Sequence, residues 1–243
     1  MTTSCIIGAS AGLGRALAER LAANGHRLHL VASDQRDLSA LAADLQIRYG
    51  RDVATLAVDI VAADPSAVCE HAFASVGPIT NLLVVAGRTS IDDRPGCSDG
   101  ELTDLLSANF LAPARIVNAF VPFLRHVPDA NIVGMGSVAE IRGRRNNSAY
   151  ASSKRGLEFY FESLRHDLAD TSCRVQFFRL GYLATSMTFA QKLMLPAISA
   201  EQAASAVTGA FGRDIPAKYL PSWWRFAEIL KLVPWSIYSR LTF

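Results

Sequence analysis

Six short apolar runs alternate with longer segments of helical period, and no other feature of the sequence constrains the fold as strongly. The runs are SCIIG, HRLHLVAS, VATLAVD, TNLLVVAG, ANIVGMGS and CRVQFFRL, each bounded by Gly, Asn, Asp or Ser. Between them lie helical patterns such as LGRALAERLAANG, which closes on Gly25, and LSALAADLQIRYG, which closes on Gly50. Strands that alternate with helices build right-handed βαβ units. We therefore predict an α/β fold whose parallel sheet is covered by helices on both faces, with its ligand site beyond the carboxyl ends of the strands.

Length and composition exclude several classes of protein. The 243 residues suffice for one domain with a sizeable core, and half of them are hydrophobic, which excludes a disordered chain. A formal net charge of only +2, with acids and bases interspersed, predicts no nucleic-acid partner. The cysteines lack metal-ligand spacing and predict neither a zinc site nor a disulfide framework. They are Cys5, Cys69, Cys97 and Cys173.

The N-terminal stretch MTTSCIIGAS runs directly into a strand and a glycine turn. We therefore expect no signal peptide. No apolar run approaches the roughly 18 residues of a membrane span. With the unpaired cysteines, these features predict a cytoplasmic protein.

A glycine-rich loop, GASAGLG, joins the first strand to the first helix. Gly8, Gly12 and Gly14 let the backbone turn tightly and let a pyrophosphate approach the helix N-terminus, where free N–H groups and the helix dipole favour an anion. With Ser10 and Leu13 in the same loop, this placement predicts a dinucleotide site. A tight strand-to-helix turn without a ligand is the alternative.

Two later strand ends suit the same dinucleotide. Asp59, with Ile60 beside it, ends the run VATLAVD and is placed to hydrogen-bond adenine. Ala86 and Gly87 end the fourth run and are placed to pass beneath the adenosine. Taken singly, such an aspartate or glycine is more often an ordinary turn residue.

Tyrosine and lysine stand four residues apart in SAYASSKRG, which has the pattern of a helix start. Residues at this spacing share one helix face, so Tyr150 and Lys154 present a phenol and an ammonium to the same spot. At about 4 Å and an effective dielectric near 20, the ammonium favours the phenolate by roughly 4 kcal/mol, or about three pKa units. A phenol with its pKa lowered in this way exchanges protons near neutral pH. The same spacing also arises by chance on solvated helix faces.

Asn109 in LLSANFLAP and Ser137 in VGMGSVAE complete an ordered set. The set comprises Gly8, Gly12, Gly14, Asn109, Ser137, Tyr150 and Lys154. In order and spacing it resembles the short-chain dehydrogenase/reductase family, over nearly the whole chain. The resemblance implies a Rossmann-type doubly wound parallel sheet of about seven strands, formed by residues 1–243 as a single domain, and a nicotinamide cofactor.

The resemblance also implies a role for each catalytic candidate. Tyr150 would be the general acid/base, and Ser137 would hold the substrate carbonyl or hydroxyl. Lys154 would bind the nicotinamide ribose and lower the pKa of Tyr150, while Asn109 would hold a water that links the lysine to solvent. Taken singly, Ser137 is more often a strand-end hydroxyl and Asn109 a helix kink or cap.

The sequence departs from the family pattern at three places. It has Ile7-Gly8 where the family usually has Thr-Gly, Val84 to Gly87 where the family has Asn-Asn-Ala-Gly, and Leu180-Gly181 in place of Pro-Gly. The first two changes are consistent with one replacement, in which apolar packing between strands one and four takes the place of a polar contact. Thr185, four residues after Gly181, matches the family threonine near the nicotinamide carboxamide.

Cofactor choice is normally decided at the end of strand two, here LVASDQR. An acid at this point would hydrogen-bond the adenosine ribose, and a base would accept a 2′-phosphate. Ala32 stands where an acid is expected, and Ser33 where the family often has arginine. Ser33 and the nearby Arg36 favour NADP(H) over NAD(H), whereas Asp34 favours NAD(H).

Three arginines, Arg142, Arg144 and Arg145, lie in EIRGRRNN between Ser137 and Tyr150. The fold places this loop beside the mouth of the active site, where the cations would attract a phosphate. A solvated face or a subunit contact is the more common role of surface arginines.

The C-terminal tail, residues 219–243, is unusually apolar. As a helix it carries one narrow polar stripe among apolar residues. The stripe is Arg225, Glu228 and Lys231, and the apolar residues are Trp223, Trp224, Phe226, Ile229, Leu230, Leu232 and Val233. Such a helix packs against its own domain or a partner, or lies in a membrane interface. We expect packing in a homo-oligomer, a dimer or tetramer, with peripheral membrane contact through residues 222–243 as the alternative.

The arginine loop and the tail are similar to those of one subgroup of the family, the keto-reductase partner of decaprenylphosphoryl-ribose 2-epimerisation and its bacterial relatives. That resemblance implies a keto-sugar on a polyprenyl phosphate, with the arginines near phosphate and the tail near lipid. A reductase of soluble ketones or 3-oxoacyl thioesters is the alternative. A different class of answer is a non-catalytic nucleotide-binding or membrane-peripheral protein that keeps the fold. From the full set of residues we predict an NADP(H)-preferring reductase of a small carbonyl substrate.

Overall fold

The computed structural model describes residues 2–185, 188 and 195–241. Its strands are β1 Thr3–Ile7, β2 Arg27–Ala32, β3 Val53–Ala57, β4 Asn81–Val84, β5 Asn131–Ser137, β6 Arg174–Leu180, β7 Leu183–Ala184, β8 Ile198–Ser199 and β9 Ala217–Leu220. Seven of them form one sheet in the order β3-β2-β1-β4-β5-β6-β9, and every neighbouring pair is parallel. The six predicted runs are thus confirmed as β1 to β6, and the predicted parallel α/β fold is confirmed.

Helices cover both faces of this sheet. They are α1 Gly12–Ala23, α2 Gln35–Tyr49, α3 Pro65–Val76, α4 Asp99–Leu106, α5 Ala112–Leu124, α6 Ser148–Asp167, α7 Ala200–Thr208 and α8 Trp235–Tyr238. On one face α3, α5 and α6 bury a core around Phe120 and Phe161, and on the other α1, α2 and α7 bury a core around Leu17 and Leu41. This doubly wound arrangement is the predicted Rossmann type.

The helix ends follow the signals in the sequence. Gly25 comes directly after the C-cap of α1 with φ of +90°, and Gly50 closes α2 in the left-handed conformation with φ of +61°. Glycine has no Cβ to clash there, so both predicted helix ends are confirmed. At the other end of α2, the carboxylate of Asp34 accepts a hydrogen bond from Asp37 N at 2.9 Å.

A π-helical turn, Ser107–Leu111, joins α4 to α5 in one continuous helical segment, Asp99–Leu124. By length and composition this segment is apolar enough to cross a membrane, with a mean hydropathy of 1.2 over 18 residues. Half of that stretch is buried inside the fold, against α3 and α6. Burial in the core accounts for its apolar composition.

The predicted apolar helix of the tail is a 3₁₀ helix, Ser222–Leu232, followed by the short α8. With three residues per turn it has three faces. Trp224 and Ala227 are buried against Ile141 and Tyr219. The polar face consists of Arg225, Glu228 and Lys231. The third face is exposed and apolar, and we call it the apolar stripe; it consists of Trp223, Phe226, Ile229 and Leu232.

Candidate active site

The glycine loop lies where β1 ends and α1 begins, at the carboxyl edge of the sheet. Gly8 has φ of +92°, and a Cβ there would lie 2.6 Å from Ala86 N. A Cβ on Gly14 would overlap the carbonyl oxygen of Gly8. A Cβ on Gly12 would lie 3.4 Å from Cγ2 of Thr185, so the segment after β6 faces this loop. The loop is therefore as compact as the predicted role requires.

The N-terminus of α1 fits the pyrophosphate of a nicotinamide dinucleotide. Its N-cap residue, Ala11, supplies no side-chain hydrogen bond, so the first N–H groups of this 12-residue helix remain for an anion. Ser10 is half-buried in the loop. The side chain of Leu13 is buried in the core, so only its backbone N–H is left for the cofactor.

The residues predicted for the adenosine end lie at the ends of β2, β3 and β4. Ser33 follows β2 and is exposed. The carboxylate of Asp34 caps α2, which gives this acid a structural role. Arg36 is exposed, and its Nε lies 3.6 Å from Oδ1 of Asp37. Asp34, Arg36 and Asp37 each contact another residue of this segment through their side chains. Ser33 is the one of these four residues whose side chain has no such contact among the described residues.

The end of β3 is split between solvent and core. Asp59 is exposed, and its Oδ1 accepts a hydrogen bond from Val61 N at 3.0 Å. The side chain of Ile60 is buried in the core, so contact with a nucleotide is left to its backbone. Ile7 and Val84 are register partners, and both are buried in that same core. Apolar packing therefore occupies the place of the family's polar contact between β1 and β4.

Asn109 lies in the π-helical turn between α4 and α5, and it is completely buried. Its Oδ1 accepts from Arg88 N at 2.9 Å, and its Nδ2 donates to the carbonyl oxygens of Arg88 and Leu105 at 2.8 and 2.9 Å. The turn therefore fastens the helix to the loop after β4. A Cβ on Gly87 would lie 2.9 Å from Asn109 Oδ1 and 3.1 Å from Lys154 Nζ, so these three residues meet at one point.

Ser137 ends β5 and starts a 3₁₀ turn, Val138–Ile141, through a capping box. Its Oγ accepts from Ala139 N at 3.2 Å, and its backbone N–H donates to Glu140 Oε2 at 3.0 Å. The same hydroxyl lowers the pKa of the Tyr150 phenol, which lies near it. The structure thus brings Ser137 and Tyr150 together across the carboxyl edge of the sheet. The S-x-x-E spacing of this box is visible in the sequence, so Glu140 was open to prediction.

The start of α6, which carries Tyr150, is held by a residue that the sequence analysis did not identify. Asp93, from the loop after β4, is buried, and its carboxylate accepts from Ala149 N at 2.7 Å, Tyr150 N at 2.9 Å and Ser148 Oγ at 3.1 Å. Asp93 also accepts from Asn147 N through its backbone oxygen at 2.8 Å. No local sequence pattern predicts this cap, because Asp93 lies more than fifty residues before α6.

The predicted acidification of Tyr150 by Lys154 is wrong for this structure. Burial is the largest influence and raises the pKa of Tyr150. The Ser137 hydroxyl lowers this pKa, the charge of Glu140 raises it, and the charge of Arg144 lowers it. Lys154 Nζ lies 6.0 Å from the centre of the Tyr150 ring and donates to the carbonyl oxygen of Met135 at 3.1 Å. The hydrogen bond of the ammonium thus goes to β5 and not to the phenol, and Lys154 is not among the causes of the Tyr150 shift.

Lys154 is itself buried, and this burial lowers its pKa to about 8, while the charge of Glu140 opposes the change. The lysine is therefore close to the point at which it loses its charge. Keeping it charged depends on nearby acidic groups.

The arginine loop is divided between the tail and the site. Nη1 of Arg142 donates to the carbonyl oxygens of Leu230 and, at 2.6 Å, Val233. Its guanidinium lies 3.9 Å from the ring centre of Tyr238, whose hydroxyl donates to Gly143 O at 2.9 Å. Arg142 thus holds the tail, which departs from the predicted role in phosphate binding.

Arg144 and Arg145 differ from Arg142 in their surroundings. Arg145 is exposed, whereas Arg144 is half-buried and its charge acts on Tyr150. Within the described part of the chain, no carboxylate forms an ion pair with Arg144.

The buried Trp224 of the tail lies over Gly181, where any Cβ would overlap its indole ring. Gly181 is therefore needed for docking of the tail.

Comparisons with known proteins find similar sequences and a similar fold. The chain is 28% identical over 245 residues to an uncharacterised oxidoreductase of Mycobacterium tuberculosis, covering 98% of this chain and 94% of that protein. It is 29% identical over 186 residues to a 3-oxoacyl-[acyl-carrier-protein] reductase of Bos taurus, covering 75% and 76%. Its fold is similar to that of L-sorbose reductase from Gluconobacter frateurii, solved with NADPH and L-sorbose, with a TM-score of 0.81, 21% identity and coverage of 90% and 94%.

The sequence profile of the short chain dehydrogenases matches residues 2–194, which include β1 to β7 and every catalytic candidate. This match extends over far more than half of the chain. The protein therefore belongs to the short-chain dehydrogenase family and is an oxidoreductase that acts on an alcohol or carbonyl group.

Proposed function

We propose that the protein is an NADP(H)-dependent reductase that converts a ketone to a secondary alcohol. One observation carries the proposal: at the carboxyl edge of the sheet the Ser137 hydroxyl is near enough to the Tyr150 phenol to lower its pKa, and Lys154, one turn further along α6, is buried. A bound reduced nicotinamide supplies a hydride to the carbonyl carbon. The oxygen then gains negative charge, which the Ser137 hydroxyl and the Tyr150 phenol stabilise before the phenol donates its proton.

The raised pKa of Tyr150 suits proton donation in the direction of reduction. A phenol with a raised pKa stays protonated at neutral pH and keeps a proton to give. We expect Tyr150→Phe to lower kcat by about 10²-fold or more, the usual contribution of a positioned general acid. The measurement is NADPH oxidation with a panel of ketones, with thermal unfolding to establish that the variant is folded. Unchanged turnover in the variant refutes the proposal, and tight NADPH binding without turnover of any ketone favours the non-catalytic alternative.

The preference for NADP(H) rests on Ser33. This hydroxyl follows β2 and is exposed, while Asp34 is bound to the start of α2. We expect Ser33→Asp to lower kcat/KM for NADPH at least tenfold, because a carboxylate repels the 2′-phosphate, and to leave kcat/KM for NADH unchanged or higher. Parental preference for NADH over NADPH contradicts the assignment.

For the substrate we propose a ketone that carries an anionic group, of which a keto-sugar on a lipid-linked phosphate is one case. Arg144 supports this: it is half-buried, its charge reaches Tyr150, and it lacks a carboxylate partner among the described residues. We expect Arg144→Gln to raise KM for a phosphorylated ketone about tenfold and to leave KM for a neutral ketone unchanged. Equal effects on both substrates favour the soluble-ketone or thioester alternative.

We also propose that the tail contacts an anionic membrane surface from the cytoplasmic side. The apolar stripe is exposed, and its aromatic residues are the kind that settle at a lipid interface. The tail contains Arg225, Lys231 and Arg240 against a single acid, Glu228, and so carries a net charge equal to that of the whole chain. Its opposite face is already covered by the protein's own core, so the stripe is the face left for a membrane.

Flotation with vesicles containing phosphatidylserine tests this contact. Phe226→Ser, which alters a side chain 57% exposed in the stripe, should reduce binding at least fivefold. Ile47→Ser is the control, because Ile47 is exposed on α2, outside both the tail and the helices proposed for self-association. The proposal is contradicted if Phe226→Ser binds the vesicles as well as the parent protein does, or if the variant loses self-association instead of vesicle binding.

Self-association is proposed for a different face. Apolar side chains are exposed on α4 and α6, among them Leu102, Leu106 and Phe159. Two copies that bring these helices together would cover them. We expect Phe159→Ser to shift the chain from dimer or tetramer toward monomer in sedimentation velocity, whereas Phe226→Ser should not. A monomeric parent protein contradicts this assignment.

A further inference from the structure

Glu140 is a buried carboxylate that none of the roles above requires. Its side chain is fully covered, although an isolated ionised carboxylate is costly to bury. One oxygen, Oε2, accepts from Ser137 N at 3.0 Å. The other, Oε1, lies 3.3 Å from Arg179 Nε but has no hydrogen-bond partner in the described residues. Because a Cβ at position 136 would lie 2.7 Å from Oε2, Gly136 leaves the space that the carboxylate occupies.

Charged and titratable groups from three elements surround Glu140. They are Arg179 on β6, Tyr150, Lys154, Arg155 and Glu158 on α6, and Tyr219 on β9, which donates to Glu228 of the tail. Glu158 is the other buried carboxylate in this group and forms ion pairs with Arg179 and, at 2.5 Å, Arg155. The charge of Glu140 acts on both Tyr150 and Lys154, whereas that of Glu158 is a cause of neither shift.

We propose that Glu140 is a positioning residue of the active site, which orients Ser137 through its backbone N–H and supplies the negative charge that balances Lys154. A capping box alone needs only the hydrogen bond to Ser137. It does not need a charge enclosed beside the catalytic lysine. This inference rests on the proposed function, because it assigns Glu140 to the same reaction.

The charge of Glu140 affects Tyr150 and Lys154 in one range of pH. Burial raises the pKa of Glu140 to about 7, so the carboxylate is mostly ionised above that value. There it raises the pKa of both Tyr150 and Lys154. Removing the charge lowers the pKa of both groups, so the phenol loses its proton and the lysine its charge at lower pH. Both changes move the alkaline limit of ketone reduction to lower pH.

The experiment compares Glu140→Gln with Glu158→Gln. The glutamine at position 140 keeps an oxygen for Ser137 N and removes only the charge. We expect the alkaline limb of kcat/KM in the pH profile to move about one unit lower, with little change below pH 7, where Glu140 is already protonated in the parent. Glu158→Gln also breaks a buried ion pair with Arg179 but should leave the limb in place. A limb that stays in place in Glu140→Gln, or moves equally in both variants, overturns the proposal.

A second readout does not depend on turnover. NMR with isotope-labelled tyrosine follows ionisation of the Tyr150 phenol without cofactor, and the signal is assigned by its loss in Tyr150→Phe. We expect the phenol to ionise at lower pH in Glu140→Gln and at the parental pH in Glu158→Gln. Failure of the proposed function appears as a lack of turnover by the parent, whereas failure of this inference appears as unchanged ionisation. If Glu140→Gln does not fold, Glu140→Asp takes its place, because it keeps the charge on a shorter side chain. An alkaline limb at the parental pH together with a lower kcat supports the proposal. An alkaline limb at a different pH overturns it.

Discussion

Replacing Asp93 tests how firmly the start of α6 holds Tyr150. The buried carboxylate accepts two backbone N–H groups, at 2.7 and 2.9 Å, and the hydroxyl of Ser148 at 3.1 Å. A lost N-cap costs about 0.5–2 kcal/mol and a hydrogen bond to a charged group about 1.5–3 kcal/mol. These contributions overlap, so we expect Asp93→Ala to lower the free energy of unfolding by about 2–3 kcal/mol. Asp93→Asn keeps an oxygen acceptor and should cost about 1 kcal/mol.

The catalytic effect of Asp93→Ala should be separate from the loss of stability. Tyr150 N is one of the groups that Asp93 holds, so the first turn of α6 should fray and kcat for ketone reduction should fall about tenfold. Asp64→Ala is the matched control, since Asp64 caps α3 through Ser66 N at 3.1 Å, away from the catalytic residues. Urea unfolding and kcat are measured on both variants. Parental kcat in Asp93→Ala, or an equal fall in Asp64→Ala, would refute the reasoning.

Three further perturbations test other parts of the structure. Gly14→Ala places a Cβ into the carbonyl oxygen of Gly8, so we expect NADPH binding in a fluorescence titration to weaken at least tenfold; normal binding would contradict the tight loop. Arg142→Ala removes the donor that holds the tail and should speed limited proteolysis after residue 221, whereas an unchanged rate would show another anchor. Burial, with the charge of His71, lowers the pKa of His29 to about 4. Unfolded chains take up that proton near pH 6.5, so up to about 3 kcal/mol of stability should be lost as pH falls from 6.5 to 4. His29→Gln should flatten this dependence in urea unfolding, and an unchanged slope would contradict it.

The sequence was sufficient wherever the cause of a structure is local. Glycines at positions 8, 12 and 14 predict a turn that only glycine fits, and the S-x-x-E spacing is typical of a capping box. The parallel direction of the strands follows from the alternation of periods, because parallel strands need crossover helices. These features depend on neighbours within a few residues, so a single chain read in order is enough to predict them.

The sequence was insufficient wherever distant groups decide the outcome. Spacing places Tyr150 and Lys154 on one helix face, but their distance and solvation depend on β5, whose Met135 carbonyl takes the lysine. The same limit applies to the tail. Apolar residues lie on two of the three faces of the tail helix, and docking on Ile141 and Gly181 selects which of these faces is buried. Arg142 likewise could not be assigned to the tail before the two were known to meet.

Two buried carboxylates, Asp93 and Glu140, divide the work of placing the reacting groups. Asp93 holds the backbone at Tyr150, and Glu140 holds the backbone at Ser137. Asp93 accepts N–H groups at the start of α6, where a negative charge is favourable, and Glu140 accepts one N–H group at the start of the 3₁₀ turn. The relative position of phenol and hydroxyl is therefore set from both sides by groups outside the connecting loop, residues 142–147. That loop holds the tail through Arg142, and Arg144 on the same loop is the group that we propose for the substrate.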